Sequence, residues 1–438
     1  MSRRVALGTF VALFVFAVVA ARAEDRVRYD NYRYIRAQVS SSEQIERIHD
    51  LGALLMSDAE GIGPVDYLVP PEAMDEVKAL GIRHTVLNDN IQEAIDAEYE
   101  RLREAGQELR GDWFDDYKTY DQINTYLDDL VTQYPDLISK YGIGTSLEGR
   151  TLYAVTITSP VGGPDKPALC FNADQHAREW ITPMTAMYII DRLVQTYDTD
   201  PDVQMMLDRL IFYIVPINNP DGYVYSWDVD RMWRKNRRNN GDGTYGVDLN
   251  RNWSVGWGGP GSDGETYSET YRGPWPFSEP ETQVVRDYIL DHPEIVGHVD
   301  IHSYGQLAMW PYGYDYIEPP EPDRSIMSGI ANDMVDAIFA THGVVYTPQP
   351  CHQLYLCSGI CIDWVYDEGG AYSWTFELRD TGYYGFILPP EQILPTGEEI
   401  YAAISTLAEY FTLLLRIDFP DGLPAIVEPE QTTSVAVR

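Results

Sequence analysis

His176 and Glu179 stand three residues apart in His176-Ala177-Arg178-Glu179, directly after an apolar run at residues 168–172. Imidazole nitrogen and carboxylate oxygen are the ligands zinc takes when one coordination position must stay open for chemistry. A single pair of this kind arises often by chance, so it carries weight only if other groups converge on it. Two do. His302 follows the apolar run 295–301, and Glu377 closes the run 372–376, where a carboxylate is expensive to desolvate without a partner or a task. Three strand ends thus supply His-x-x-Glu, His and Glu, a set suited to metal-assisted hydrolysis. Arg231, Arg234, Lys235, Arg237 and Arg238 form a cationic stretch, followed by Asn250-Arg251-Asn252. The planar fork of Arg suits a bidentate grip on a substrate carboxylate.

The elements that must position these groups alternate. Strand patterns cover 152–158, 168–172, 211–216, 295–301 and 372–378, and helical periodicity covers 123–134, 181–197, 281–290, 326–340 and 398–415. Such alternation over about 300 residues predicts a large α/β sheet domain, and open α/β sheets place ligands at the carboxyl ends of their strands. Before it, strand patterns at 33–39, 65–69 and 83–87 alternate with helical ones at 42–51 (capped by Ser41) and 72–80, predicting a small α+β domain. Residues 90–107 read as a polar helix with little apolar face, the kind that bridges domains. Its Arg101 and Arg103, with Arg110 beyond, are candidate protease cut sites. The expected division is a signal peptide at 1–23, a small domain at 24–89, a connecting segment at 90–112, a large domain at 113–416 and a tail at 417–438.

The composition narrows the partners. Lys and Arg number 32 against 68 acidic residues, a formal net charge of −36. Such a chain repels nucleic acid and anionic membranes, which need clustered basic groups. Arg3 and Arg4 precede an apolar run over 5–20 and an Ala21-Arg22-Ala23 cleavage pattern, so the protein is expected to be exported, extracellular or periplasmic. Export permits disulfides. Cys170 reads as a small buried hydrophobe, while Cys351, Cys357 and Cys361 crowd together, so that one pair bridging leaves an odd cysteine.

Six segments occur in a telling order: 176–182 HAREWIT, 231–235 RMWRK, 248–253 DLNRNW, 302–304 HSY, 358–364 SGICIDW and 375–382 TFELRDTG. In that order the chain from Tyr117 to Leu415 resembles the funnelin-type zinc carboxypeptidases, the carboxypeptidase A/B group. The segment before it resembles that group's inhibitory pro-domain. The resemblance implies a large mixed β-sheet flanked by helices, preceded by a ferredoxin-like α+β pro-domain. It also implies a monomer with one Zn2+ per chain, acting on peptide and protein C-termini and inhibited by its own pro-domain. Carried over by motif, His176, Glu179 and His302 hold the zinc, and Asp248 orients His176. Glu377 is the general base, and Arg234 stabilises the oxyanion. Asn250, Arg251 and Tyr355 match the grip on the terminal carboxylate, and Arg178 and Arg231 line the groove. An ungapped count from Tyr355 puts Ile362 on the floor of the side-chain pocket, implying apolar or aromatic preference; a one-residue slip would put Asp363 there and favour Lys or Arg. Ile360 and Cys361 replace residues that are commonly small in the family. Thr244 and Tyr267 stand where many animal relatives carry a disulfide. A zinc amidohydrolase acting on small acylated amino acids and a non-catalytic peptide-binding protein are the competing readings.

Overall fold

A computed structural model describes residues 26–57, 61–105 and 112–418. The leader, Arg110 and the tail beyond residue 418 lie outside the described residues. Two sheets organise the rest. In the smaller, β1 (Arg33–Val39), β2 (Leu54–Leu55), β3 (Gly63–Val69) and β4 (Arg83–Asn88) take the antiparallel order β2-β3-β1-β4. Helices Ser42–Asp50 and Met74–Ala79 share a core with it, where Ile48 and Val77 meet Ile35, Ala37 and Tyr67. The Ser41 side chain accepts the Gln44 N–H at the first helix's N-terminus, satisfying a donor that the helix itself cannot. β2 is absent from the sequence reading because two residues are too few to alternate. Adding it makes the order βαββαβ, the ferredoxin-like pattern.

The helix Ile91–Ala105 corrects the expectation of a polar bridge. It buries Ile91 and Ile95, and with them Gln92 and Glu98. Ile91, Ile95, Tyr99 and Leu102 recur at helical spacing, so a narrow apolar stripe was hidden among charges. Packed against Met232 and Phe386, this stripe joins the small domain to the large one.

The large sheet has the order β11-β10-β12-β9-β7-β8-β6-β5. Its centre is parallel: β12 (Tyr372–Glu377), β9 (Ile295–His302), β7 (Ala168–Ala173) and β8 (Ile211–Val215) run side by side. β6 (Thr151–Ile157) and β5 (Ile138–Thr145) extend one edge antiparallel, and β10 (Leu307–Trp310) with β11 (Thr347–Pro350) closes the other. Burial on both faces explains why the central strands read as continuous apolar runs. Leu169 and Phe171 point into one core with the helices Ile181–Thr196, Asp323–His342 and Ile393–Asp418, while Ala168 and Cys170 point into a second with helix Pro280–Leu290. Each fully buried side chain of the size of Phe171 or Leu169 contributes roughly 1.5–3 kcal/mol.

Sequence reading missed β5, β10 and β11, and the helices Pro201–Arg209 and Pro220–Asp228. The edge strands β5 and β11 carry Gly142, Gly144 and Pro348, β10 is only four residues long, and both helices open on Pro, which is tolerated at a first turn because its missing N–H is not needed there. The last helix starts at Ile393 rather than residue 398 and reaches Asp418, two residues past the expected domain end at 416. Pro395 and Gly397 sit in its opening turns, not at a break. Among the described residues no helix is long and apolar enough to cross a membrane.

Candidate metal centre and active site

The parallel strands β7, β9 and β12 are neighbours, and their carboxyl ends lie together. Glu377 is in register with His302 across β12 and β9, and Ala173 with Ile301 across β7 and β9. His302 is thus the last residue of β9, and His176 follows β7 after Asp174 and Gln175. In this corner the ligating atoms of His176, Glu179 and His302 all lie within 4.8 Å of one another, and all three residues are buried.

The orientation of the two imidazoles decides what the corner can hold. His176 Nε2 lies 3.0 Å from Asp248 Oδ1, and His302 Nε2 lies 2.9 Å from Asp300 Oδ2. Each carboxylate accepts the Nε2 proton, which leaves both Nδ1 lone pairs turned inward. Those Nδ1 atoms are 3.1 Å apart, and the Glu179 carboxylate faces both, at 2.7 Å from His176 and 3.3 Å from His302. Two buried nitrogen lone pairs and a carboxylate facing one another are mutually unsatisfying unless a cation joins them. The donor set therefore fits a divalent ion of the zinc class, two imidazoles and one carboxylate with room for further ligands.

The supporting carboxylates are held as anions. Burial acts to raise Asp248, but Arg234 and His176 overcome it and hold it well below the usual range. Asp300 is likewise lowered: burial opposes, and His302 prevails, while Asn172 and Gln175 donate to its oxygens at 2.6 Å. Glu179 is lowered by His176 and His302 against the effect of burial. Burial acts to lower His302, but Asp300 and Glu179 favour positive charge there and raise it well above its ordinary value, the same demand for a cation between the rings that the facing lone pairs express. Asp300 was missed in the sequence reading. The available signal was an acid two residues before His302, hence on the same face of one strand.

The remaining candidates fall around this corner. Arg234 donates to Asp248 through Nε and Nη2 at 3.2 and 3.1 Å, so one carboxylate holds both an imidazole and a guanidinium. Asn250 lies 3.2 Å from His302 Nε2 and accepts the Cys361 N–H. Arg251 is anchored by the carbonyls of Gly261 and Asn250. A narrow cleft is lined by His176, His302, Asn250, Arg251, Tyr355, Met309, Ile360, Ile362, Thr375 and Glu377, among others. The two residues of the pocket-floor ambiguity part here. Ile362 lines this cavity, whereas the buried Asp363 carboxylate accepts the backbone N–H groups of Gly313 and Tyr314. Burial pushes Asp363 up to about 8 against those two donors.

Arg178 and Arg231 lie farther out, beneath the small domain. Arg178 donates to the Leu55 carbonyl and pairs with Glu269 at 3.4 Å. Arg231 pairs with Glu98 of the connecting helix at 2.6 Å, both side chains being 1% exposed, and stacks over Trp180. At the mouth of the cleft Asp66 joins Arg36, at 2.7 Å, to Tyr304, also at 2.7 Å, and Tyr34 bonds Tyr304. Of the cysteines, Cys170 is buried in β7 as expected, and the metal-ligand cluster involves none of the four.

A site of this build, at adjacent ends of a mixed sheet and roofed by a small α+β domain, defines a metallopeptidase class, and comparison with known proteins gives the family. The zinc carboxypeptidase model matches residues 123–403, and the carboxypeptidase activation peptide model matches residues 35–98. Carboxypeptidase A2 of Rattus norvegicus is 39% identical over 79% of this chain and 84% of its own length. Carboxypeptidase A1 of Sus scrofa is 34% identical over 91% of this chain and 98% of its own. Among solved structures, thrombin activatable fibrinolysis inhibitor superposes with a TM-score of 0.79 at 30% identity, covering 88% of this chain and 99% of its own. The carboxypeptidase A of Helicoverpa armigera gives 0.76 at 28% identity, covering 87% and 98%. The chain belongs to the zinc carboxypeptidase family: it is a metallocarboxypeptidase, with an activation peptide ahead of its catalytic domain and zinc as the family's ion.

Proposed function

We propose that this chain is the exported, inactive precursor of a carboxypeptidase that removes apolar or aromatic residues from peptide C-termini. The single observation carrying the reading is the cavity that has His176, His302 and Glu377 on its lining together with Ile362, while Asp363 is turned away into backbone donors. His176, Glu179 and His302 hold the zinc, with Asp248 and Asp300 orienting the imidazoles. When bound, the ion supplies Lewis-acid chemistry, polarising the scissile carbonyl and making water nucleophilic near neutral pH.

The chain's own groups do the rest. Glu377 takes the proton of the attacking water and delivers it to the departing amide nitrogen. Arg234, held by Asp248 beside the metal corner, donates to the oxygen on which negative charge develops. Asn250, Arg251 and Tyr355 grip the substrate's terminal carboxylate, which confines cleavage to the last bond. Ile362 offers the departing side chain an apolar floor with no charge to pair. Arg178 and Arg231 line the outer groove, where Leu55 and Glu98 of the precursor occupy them. We assign residues 24–89 to the inhibitory domain, 90–112 to the connecting segment cut on activation and 113–416 to the catalytic unit, which works as a monomer away from membranes.

Two peptides that differ only at the terminus test the exopeptidase claim, one ending in a free carboxylate and one in a carboxamide. The trypsin-trimmed enzyme is expected to process the first and spare the second, and the uncut precursor to process neither at comparable rate. Equal turnover of both peptides would sink the terminal grip. Equal activity of cut and uncut chains would sink the inhibitory role.

A further inference from the structure

The loop that carries Tyr355 begins and ends on a cysteine. Cys351 and Cys357 are both 4% exposed, and their sulfurs lie 3.4 Å apart, in van der Waals contact. Both are thiols in this structure. Their backbones are fixed independently of the sulfurs: His352 N–H donates to the Tyr312 carbonyl at 3.0 Å, and Cys357 N–H to the Gly313 carbonyl at 2.9 Å. Two adjacent carbonyls therefore clamp the two feet of one loop. Gly313 is part of the clamp, because a Cβ there would meet Cys357 Sγ at 2.6 Å. Proximity enforced by backbone bonds is what a disulfide needs, since two cysteines cannot be bridged when their backbones are held apart.

The other cysteines are placed elsewhere. Cys361 and Cys170 belong to a second apolar cluster, whereas Cys351 and Cys357 pack with Met309, Ile360 and Ile362 on the pocket wall. The Cys361 sulfur faces His298 Nε2 at 3.9 Å.

We infer that Cys351 and Cys357 form a disulfide that closes the base of the Tyr355 loop, and that Cys361 is the odd cysteine left reduced. The oxidant is a small-molecule disulfide of the glutathione class. One cysteine thiolate attacks it and releases the first small thiol. The second cysteine then attacks the mixed disulfide and releases the other. Two protein S–H bonds and one small-molecule S–S bond are exchanged for one protein S–S bond and two small thiols, with both protons leaving on the thiols. Since both sulfurs are buried, the exchange runs before the loop closes over them, and the finished bond is shielded from reductants. The link stands on geometry alone. Its consequence for catalysis rests on the reading of Tyr355 given above: a stapled base narrows the conformations from which Tyr355 meets the substrate carboxylate.

The test refolds the full-length chain from denaturant in the presence of glutathione disulfide, then unfolds it again and alkylates it with iodoacetamide without reductant. The expected product carries alkyl groups on Cys170 and Cys361 only. Chymotryptic cleavage after Tyr355 then yields two peptides held together by Cys351 and Cys357, and fragment ions between Cys357 and Cys361 locate the bond. Four alkylated cysteines, or a bond to Cys361 or Cys170, would overturn the assignment. As a second arm, replacing both Cys351 and Cys357 by Ser should raise KM about fivefold while kcat changes less than about twofold, the pattern of lost binding rather than lost chemistry. An unchanged KM in a chain whose disulfide has been mapped overturns the positioning role and leaves the link intact. Should the double variant not fold, alkylation of the natural chain still decides the assignment.

Discussion

The metal corner and the pocket wall occupy one cavity but are built on opposite principles. In the corner every ligand is held by a further buried partner: Asp248 behind His176, Asp300 behind His302, and the Ser303 N–H on Glu179 at 3.1 Å. Asp300 and His302 lie on β9 and the His176–Glu179 turn directly follows its parallel neighbour β7, so the ladder between these two strands sets the spacing of the corner. The wall is a cluster of Met309, Cys351, Cys357, Ile360 and Ile362. It is held by apolar packing and by a loop tied at its two feet, and no ion pair orders it. Chemistry needs atoms placed within fractions of an ångström, and the sheet supplies that. Selectivity between side chains needs shape and the presence or absence of charge, which a loop can change without disturbing the sheet.

The contrast can be broken from the corner outward. Glu377→Gln should lower kcat by about a thousandfold with zinc content unchanged, measured by turnover beside elemental analysis of the same sample. A smaller loss than about tenfold would remove Glu377 from the proton-transfer role. On the wall, Ile362→Asp should shift the ratio of Arg to Phe release by about a hundredfold or more, because a buried carboxylate pays its desolvation only when a cationic side chain enters. If the ratio stays put, the floor of the pocket lies elsewhere. Behind the corner, Asp300→Asn should weaken zinc binding by about 10- to 100-fold, read by competition with a chromophoric chelator. An unchanged affinity would make Asp300 a core residue only.

The smallest effect sharpens the case for Asp363. Its pKa is raised by burial to about 8, above that of an unfolded Asp. Its neutral form therefore favours the folded state fully at pH values below the unfolded pKa, and that contribution is lost as pH rises through about 8. Asp363→Asn keeps the acceptor for Gly313 and Tyr314 and has no proton to lose. The variant should gain on the natural chain by about 1 kcal/mol or more between about pH 5 and about pH 8, followed by chemical denaturation. A parallel pH dependence for both proteins would place the titration elsewhere.

Much of this arrangement could be read from residues alone, and the gaps have physical causes. The central strands and long helices were legible because apolar periodicity is strongest where burial is complete. The edge strands β5 and β11 were not, because half-exposed segments interrupted by Gly and Pro lose that period, and β10, buried but only four residues long, is too short to show one. His176, Glu179, His302 and Glu377 stood out as polar groups at the ends of apolar runs. Asp300 did not, because it sits inside such a run and is paid for by Asn172 and Gln175, which only the folded sheet brings to it. The different surroundings of Ile362 and Asp363 were not legible, because the backbone donors that Asp363 accepts, Gly313 and Tyr314, lie some 50 residues away in sequence. Glu98 was hidden for a similar reason, a buried acid on a charged helix whose partner Arg231 comes from the other domain.

One measurement tests the central claim most directly. Trypsin-trimmed protein is given blocked dipeptides ending in Phe or Arg, with and without a zinc chelator, and the released amino acid is quantified. The expected result is Phe release that the chelator abolishes and added zinc restores, with little Arg released under any condition. Phe release that survives complete removal of zinc would contradict the metal corner, and preferential Arg release would contradict the pocket.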